Sequence, residues 1–109
     1  MLGRLDDAVL TGGVTVLPAA VETVLLRLPG IAEAVVTGVD DPEWGRRVVA
    51  AVVPAAGAPA PVLADVRDRV AAELGPHAAP RQLLVLDALP LVGVGKPDRA
   101  AVARLAADG

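Results

Sequence analysis

The near-absence of aromatic side chains is the feature that most restricts how this chain folds. It contains one Trp and no Phe or Tyr, although 54% of its 109 residues are hydrophobic. The core must therefore be aliphatic, supplied mostly by Ala, Val and Leu. A chain of this length forms one domain and buries roughly 65% of its unfolded surface, so such a core can still be substantial.

Short apolar runs separated by turn residues predict the order of the elements. Apolar residues three and four positions apart indicate the helices, and short β-branched runs indicate the strands. The inward positions of the helices are predicted at Val21, Val24, Leu25 and Leu28, at Leu63, Val66, Val70 and Leu74, and at Val102 and Leu105. The predicted order is a hairpin (Ala8–Thr11 and Val14–Leu17), a helix from Pro18, strands within residues 31–40 and 46–54, a helix from near Pro61, a strand over Gln82–Asp87 and a helix from Pro97 to about Ala107.

This order predicts an α+β fold. A small sheet of about three strands, plus the N-terminal β-hairpin, is covered by about three helices, because each amphipathic helix must bury its apolar face against another element. The two runs within residues 31–40 and 46–54 form an antiparallel pair, joined by a polar turn that contains Trp44.

Composition and charge exclude several classes of protein. The net charge of -3 argues against a nucleic-acid binder, which would carry a basic stripe with interleaved aromatic residues. No apolar run approaches the roughly 18 residues of a membrane-spanning helix. The lack of cysteine excludes disulfides and thiolate metal sites and fits a reducing, cytoplasmic compartment. His77 has no second ligand near it in the sequence, so no metal site and no catalytic role is assigned to it.

The only lysine of the chain, Lys96, is the strongest candidate for a catalytic residue. It follows Gly93 and Gly95 and precedes Pro97. The glycines predict a thin, adaptable loop from which a long cationic side chain projects, and Pro97 suits the first position of a closing helix. A phosphate-binding P-loop is excluded, because the glycine spacing is wrong and Pro97 replaces the hydroxyl residue. An ordinary solvated loop lysine remains the alternative.

Two further features allow more than one interpretation. Gly12-Gly13 suits the turn of a two-residue hairpin, but glycines also allow a ligand to pass close to the backbone. Trp44, between Glu43 and Gly45, is either part of the core or a platform on which a flat ring stacks. The sequence leaves both questions open.

Five segments together resemble the C-terminal domain of adenylate-forming acyl-CoA synthetases. They occur in the order and approximate spacing of that family and cover nearly the whole chain. The resemblance implies a small mobile lid on a large N-terminal domain that binds ATP and a carboxylic acid. Such enzymes form an acyl-adenylate and then a CoA thioester. The segments are Gly3-Arg4-Leu5-Asp6-Asp7, Gly12-Gly13, Pro18 to Glu22, Gly38-Val39-Asp40-Asp41 with Trp44-Gly45, and Gly95-Lys96-Pro97-Asp98-Arg99.

The resemblance implies roles for individual residues in adenylation. Lys96 matches the lysine that reaches the carboxylate and the reacting α-phosphate, where a preorganised ammonium stabilises developing charge. Arg4 matches an arginine at the domain junction that contacts the nucleotide, and Asp6 matches the hinge about which the lid rotates. ATP and CoA are then substrates, and Mg²⁺ is expected to accompany ATP through the N-terminal domain.

The resemblance also implies a path for CoA. Gly12 and Gly13 match glycines that line the channel for the pantetheine arm. Trp44 matches an aromatic residue against the CoA adenine, and Arg81 lies where a basic residue approaches the CoA phosphates. The chain departs from the family pattern at Val14, where a polar or charged residue is common, and similarly at Ala20, where a carboxylate is common.

Two stretches look most similar to actinobacterial o-succinylbenzoate:CoA ligases of menaquinone biosynthesis, namely residues 11–18 and 79–90. Residues 1–109 are thus expected to be the single lid domain of a larger two-domain ligase, partnered by its own N-terminal domain. Two alternatives remain: a lid of an adenylation domain that loads a carrier protein, and a free-standing binding domain without catalysis.

Overall fold

The computed structural model describes residues 8–43, 45–92 and 96–108. Its element order confirms the α+β class and the hairpin, helix and sheet succession expected from the sequence. A short 3₁₀ turn, Pro76–Ala78, follows the second helix. The elements are β1 (Val9–Thr11), β2 (Val14–Val16), α1 (Pro18–Leu26), β3 (Ile31–Asp41), β4 (Gly45–Pro54), α2 (Leu63–Leu74), β5 (Gln82–Val85), β6 (Leu91–Val92), β7 (Lys96–Pro97) and α3 (Arg99–Asp108).

The central sheet has the strand order β3-β4-β5. β3 and β4 are antiparallel, as predicted, with Val36 opposite Ala50, and their β-branched side chains suit a pleated, buried surface. β5 lies parallel to β4, with Ala50 opposite Leu83. The parallel pairing is allowed because α2 provides the long crossover that two parallel strands require.

Alternation along the strands divides the core between two faces of this sheet. The first face carries Val36, Ala50 and Val52, which pack in one cluster with buried residues of α1, α2 and the β1–β2 hairpin. The second face carries Val35 and Ala51, which pack with Val102 of α3. The sheet is therefore the middle layer, with α1 and α2 on one side and α3 on the other.

The helices bury most of the residues predicted to face inward. Val21, Val24 and Leu25 of α1 are buried, and so are Val66 and Val70 of α2. Leu28 lies beyond the end of α1 and is half-buried, as is Leu63 at the start of α2. None of the helices in the described ranges is long and apolar enough to span a bilayer.

Two helical positions were predicted wrongly. Leu105 is 44% exposed and Leu74 is 41% exposed, although both were expected to face inward. In α3 the buried partner of Val102 is Ala106, four residues on, so that both lie on the same side of the helix. A small alanine at this position lets α3 approach the sheet closely, and Leu105 turns away from it.

The β1–β2 hairpin packs onto the first face through a close contact at Gly38. Val9 of β1 is only 1% exposed. A Cβ atom on Gly38 would lie 2.9 Å from both γ-methyl groups of Val9 and 3.2 Å from Arg46 Cζ. Glycine is therefore required at position 38 by packing, because any side chain would push the hairpin away from the sheet.

Candidate functional site

The structure describes four of the seven residues for which the sequence predicted a role: Gly12, Gly13, Arg81 and Lys96. The other three, Arg4, Asp6 and Trp44, lie outside the described residues. Residues 93–95, which include the two glycines before Lys96, lie outside them as well.

Lys96 belongs to a short hairpin and not to a loop, which corrects the sequence prediction. In the β6–β7 ladder Val92 lies opposite Lys96, and Leu91 lies opposite Pro97. Lys96 is exposed. The ladder extends as far as Asp98, whose backbone N donates to Pro90 O over 2.9 Å. The lysine side chain therefore starts from a paired backbone, which restricts the directions in which it can point.

The closing helix begins at Arg99 and not at Pro97, because Asp98 caps it. Asp98 Oδ1 accepts a hydrogen bond from the backbone N of Ala101 over 3.0 Å, the arrangement typical of an N-cap carboxylate. The Asp98 carbonyl accepts from Val102 N over 3.2 Å. Pro97, predicted as the first helical residue, instead ends the β6–β7 ladder, where its missing N–H costs nothing at a sheet edge.

The turn between β1 and β2 has a backbone conformation that suits both glycines. Gly12 has φ of 57° and Gly13 has φ of 82°, so both occupy the left-handed region that a two-residue hairpin turn of type I′ demands. A Cβ atom on Gly13 would meet no other atom within 4 Å. The conformation thus explains the glycines fully, and the surface beside Gly13 is open to a ligand.

A groove of about 200 Å³ starts beside this turn. It is lined by β2 from Val14 onward, the first turn of α1 and the end of α2, and it reaches His77 and Ala78. A second cleft, of about 190 Å³, lies beyond it and is lined by Arg67, Pro76, His77 and Arg81. Because His77 borders both, the two depressions are neighbours on the surface.

The second cleft is basic. Arg67 is held by a hydrogen bond from its Nη1 to Pro80 O over 2.8 Å, and Arg81 is fixed through its backbone N, which donates to Val48 O over 2.8 Å. Guanidinium groups are well suited to oxygen anions such as phosphate. The sequence analysis named Arg81 as a candidate, did not name Arg67 and gave His77 no role. Arg67 shares no helix or strand with Arg81, so no sequence periodicity links the two residues.

The structure separates the predicted site residues into two groups. Gly12 and Gly13 belong to the hairpin on the first face of the sheet, and Arg81 lines the cleft that shares His77 with the groove beside that hairpin. Lys96 belongs to the hairpin that leads directly into α3, which covers the second face. Within the described residues, no group of three or more His, Cys, Asp or Glu side chains is arranged to hold a metal ion.

The family model for the AMP-binding enzyme C-terminal domain matches residues 20–96. A probable 2-succinylbenzoate–CoA ligase of Mycobacterium tuberculosis is 48% identical over 104 residues, which cover 95% of this chain and 27% of that protein. The chain thus spans about a quarter of that relative's length. Other curated relatives bear the names of ligases for fatty acids, 4-chlorobenzoate and acetate.

Solved structures share the fold. An amide bond synthetase from Marinactinospora thermotolerans matches with a TM-score of 0.88 and 36% identity, over 95% of this chain and 21% of the other. The ATP-bound MatB of Rhodopseudomonas palustris matches with a TM-score of 0.88 and 31% identity, over 98% of this chain and 21% of the other.

Proposed function

The chain belongs to the AMP-binding enzyme C-terminal domain family, whose members form part of AMP-forming acid:CoA ligases, and we propose that it is the mobile lid of a two-domain o-succinylbenzoate:CoA ligase. In this proposal the N-terminal domain binds ATP and the acid. The lid assists formation of the acyl-adenylate, with release of pyrophosphate. It then rotates, and CoA displaces AMP to give the thioester.

The attachment of the two groups to different helix and sheet layers is the observation that supports this function. A reaction in two steps needs different residues at one active site in turn. The β1–β2 hairpin, here called the glycine hairpin, packs on the first face, whereas Lys96 lies just before α3, which packs on the second face. In our proposal, rotation about the domain junction presents each group to the active site in turn. In our proposal Asp6 is the hinge of this rotation, and Arg4 contacts the nucleotide beside it.

For adenylation, Lys96 is proposed to bind the carboxylate and α-phosphate oxygens. Negative charge builds up on these oxygens as the acid attacks the α-phosphorus, and an ammonium already in position stabilises it without reorganisation. The exposure of Lys96 fits this role, because the side chain must enter a pocket formed by another domain. The paired backbone of the β6–β7 hairpin limits the conformations it loses on entering that pocket.

For thioester formation, the groove and the basic cleft are proposed to hold CoA. The pantetheine arm passes Gly12 and Gly13, where no side chain narrows the surface, and the phosphates lie toward Arg81 and Arg67 in the cleft. Trp44 is proposed to stack on the adenine. Because the groove and the basic cleft are neighbours that share His77, their arrangement favours an elongated ligand with an anionic end over a small acid alone.

Magnesium enters this proposal only with ATP. The described residues contain no group of three or more His, Cys, Asp or Glu side chains that could hold a metal ion. In our proposal the triphosphate and the N-terminal domain bind the ion. No step of the lid's action is assigned to it.

The test uses the full-length enzyme that contains this chain, supplied with ATP, o-succinylbenzoate and CoA. AMP, acyl-adenylate and thioester are followed by mass spectrometry. We expect thioester from the wild type, and little adenylate from Lys96→Ala, while Lys96→Ala still converts supplied adenylate to thioester. Arg104→Ala is the matched control, because Arg104 is an exposed cation on α3 outside the proposed site.

Each alternative has its own outcome in this assay. Formation of adenylate but no thioester would indicate that the acyl acceptor is a carrier protein or an amine and not CoA. Turnover with a different acid only would remove the menaquinone assignment and keep the ligase. Equal loss of both half-reactions in Lys96→Ala would contradict the assigned role of the lysine, and no adenylate from any acid would favour a binding domain without catalysis.

A further inference from the structure

Two charged residues of the sequence motifs, Glu22 and Arg99, have no part in the function proposed above. Glu22 lies on α1, which covers the first face of the sheet, and Arg99 opens α3, which covers the second face. Their side chains meet at the outer edge of β3, where Arg99 Nη2 donates to Glu22 Oε2 over 2.8 Å. The ion pair thus joins the two layers around the edge of the sheet.

The same side chains bind the backbone of the edge strand. Val36 N donates to Glu22 Oε2 over 2.8 Å, and Arg99 Nε donates to Val36 O over 3.2 Å. Side chains therefore take the place of a neighbouring strand at this point of β3. The side chain of Glu22 is 17% exposed and that of Arg99 is 36% exposed, so these charge-assisted bonds are partly shielded from water. We call this arrangement the edge clasp.

The edge clasp is only three residues from Lys96. Between them, Pro97 is paired with Leu91 and has a restricted φ, and Asp98 N donates to Pro90 O. The same Asp98 caps α3. Both residues of the connection are thus held by backbone or side-chain hydrogen bonds or by strand pairing, so we expect a displacement of Arg99 to reach the lysine.

The glycine hairpin does not depend on the edge clasp. It is attached to the first face by Val9 and Val16, which are 1% and 5% exposed. The far end of α3 is also held separately, because Gln82 Nε2 donates to Ala106 O over 3.1 Å and Val102 is buried. Loss of the edge clasp would thus misalign the start of α3 without releasing the helix.

We propose that Glu22 and Arg99 are positioning residues for the adenylation step, which fix the direction of Lys96 by fastening the start of α3 to Val36. The inference rests on the proposed function, because it requires Lys96 to act in that step. Neither residue contacts substrate, and the effect of each is carried by the lysine. The thioester step, which uses the glycine hairpin, is independent of them, because Val9 and Val16 attach that hairpin separately.

The test measures the two half-reactions separately in the full-length enzyme. We expect Glu22→Ala and Arg99→Ala to slow pyrophosphate exchange roughly 10- to 100-fold, since small misplacements of a catalytic group have effects of this size. Thioester formation from supplied adenylate stays close to the wild-type rate. Glu73→Ala is the matched control, because it breaks another ion pair of the same kind, with Arg27, between the end of α1 and α2.

Conservative variants separate positioning from general destabilisation. Glu22→Gln keeps an oxygen that accepts from Val36 N and from Arg99, so it recovers most of the exchange rate. Arg99→Lys keeps the charge, but a single ammonium lacks the fork that binds the Glu22 carboxylate and Val36 O together. It therefore stays impaired. Equal slowing of both half-reactions by these conservative variants would overturn the proposal.

A spectroscopic measurement follows Lys96 directly. It is the only lysine of the 109-residue chain, so [¹⁵N]lysine gives a single lysine backbone amide signal. This signal is expected to shift in Glu22→Ala and Arg99→Ala, less in Glu22→Gln, and not in Glu73→Ala. An unmoved signal in a variant with slowed exchange would mean that the edge clasp does not act through the lysine.

The outcomes also distinguish this inference from the proposed function. If Lys96→Ala leaves pyrophosphate exchange intact, the proposed function fails first. If Lys96→Ala abolishes exchange while Glu22→Ala and Arg99→Ala retain it, the function stands and the positioning role is overturned.

Discussion

The two short hairpins that carry the candidate site residues are held to the sheet by different forces. The glycine hairpin is attached by apolar packing: Val9 and Val16 are buried, and Val9 rests on Gly38. The lysine hairpin has an exposed Leu91 and an exposed Lys96, and polar contacts of Asp98 and the segment around it hold it in place.

Because of this difference, we expect one hairpin to contribute mainly to the stability of the domain and the other mainly to its activity. Removing apolar contacts under the glycine hairpin affects the main core, which the hairpin shares with α1 and α2. Changes in the lysine hairpin, β6–β7, leave that core untouched, because none of its described residues belongs to the main cluster. The glycine hairpin should therefore be sensitive in unfolding experiments, and the lysine hairpin in activity experiments.

The largest effect is expected from Lys96→Met, which keeps the length of the side chain and removes its charge. In the full-length enzyme, adenylate formation should fall by about 10²- to 10³-fold, the effect of removing one preorganised charge-stabilising group. The free energy of unfolding of the 109-residue chain should change by less than about 0.5 kcal/mol, because the side chain is exposed. If urea unfolding showed that Lys96→Met loses as much stability as a core variant, the two hairpins would not differ in their contribution to stability.

The next largest effect, on stability, is expected at Gly38, the residue of β3 against which the glycine hairpin packs. Gly38→Ala places a Cβ 2.9 Å from Val9, so overpacking should lower the free energy of unfolding by about 1–3 kcal/mol. The double variant Gly38→Ala/Val9→Ala should lose less free energy of unfolding than the sum of the two single variants, because Val9→Ala removes the methyl groups that clash with the new Cβ. Gly30→Ala is the control, since its Cβ would be 4.0 Å from the nearest atoms. Additive losses would show that the hairpin does not rest on Gly38.

A smaller effect is expected in the turn itself. Gly13→Ala forces an L-residue into the left-handed region at a cost of about 1–2 kcal/mol, while its Cβ meets no neighbour. Gly12→Asn should be nearly neutral, because Asn adopts this conformation readily. Urea unfolding measures both. If the turn borders the CoA path, Gly12→Asn should nevertheless slow thioester formation and leave adenylation unchanged, and slowed adenylation would contradict that path.

The smallest effect is expected at the cap of α3. Asp98→Ala removes the acceptor of Ala101 N and should lower the free energy of unfolding by about 1 kcal/mol. Asp98→Asn, which still accepts this bond, should remain near the wild type in thermal unfolding. If both variants were equally stable, the start of α3 would be set by the β6–β7 ladder and not by the cap.

The fold was predictable to the extent that local patterns encode it. The β-branched runs around Val36 and Val49 predicted the antiparallel pair, and Gly12-Gly13 predicted the hairpin turn. Each of these signals is contained within a few consecutive residues. The start of α3 was misplaced because Pro97 fits two local structures. The Asp98 cap and the pairing with Leu91 decide between them, and that pairing involves a residue outside the local pattern.

The candidate site was predictable only in part. Resemblance to a family drew attention to Lys96, Arg81 and the two glycines, but gave no role to Glu22, Arg67 or Arg99. These residues take their significance from partners 13 to 77 positions away in the chain. Such contacts carry no signature in composition or spacing.

By itself, the sequence determined an aliphatic α+β domain with strands β1 to β5, three helices and a single lysine, because hydrophobic periodicity and turn chemistry are local properties of the chain. Only the tertiary structure decided that β5 lies parallel to β4, that the glycine hairpin and α3 pack on opposite faces of the sheet, and that Glu22 meets Arg99 around the edge of β3. These arrangements depend on how layers pack, and packing joins residues that are remote in sequence and adjacent in space.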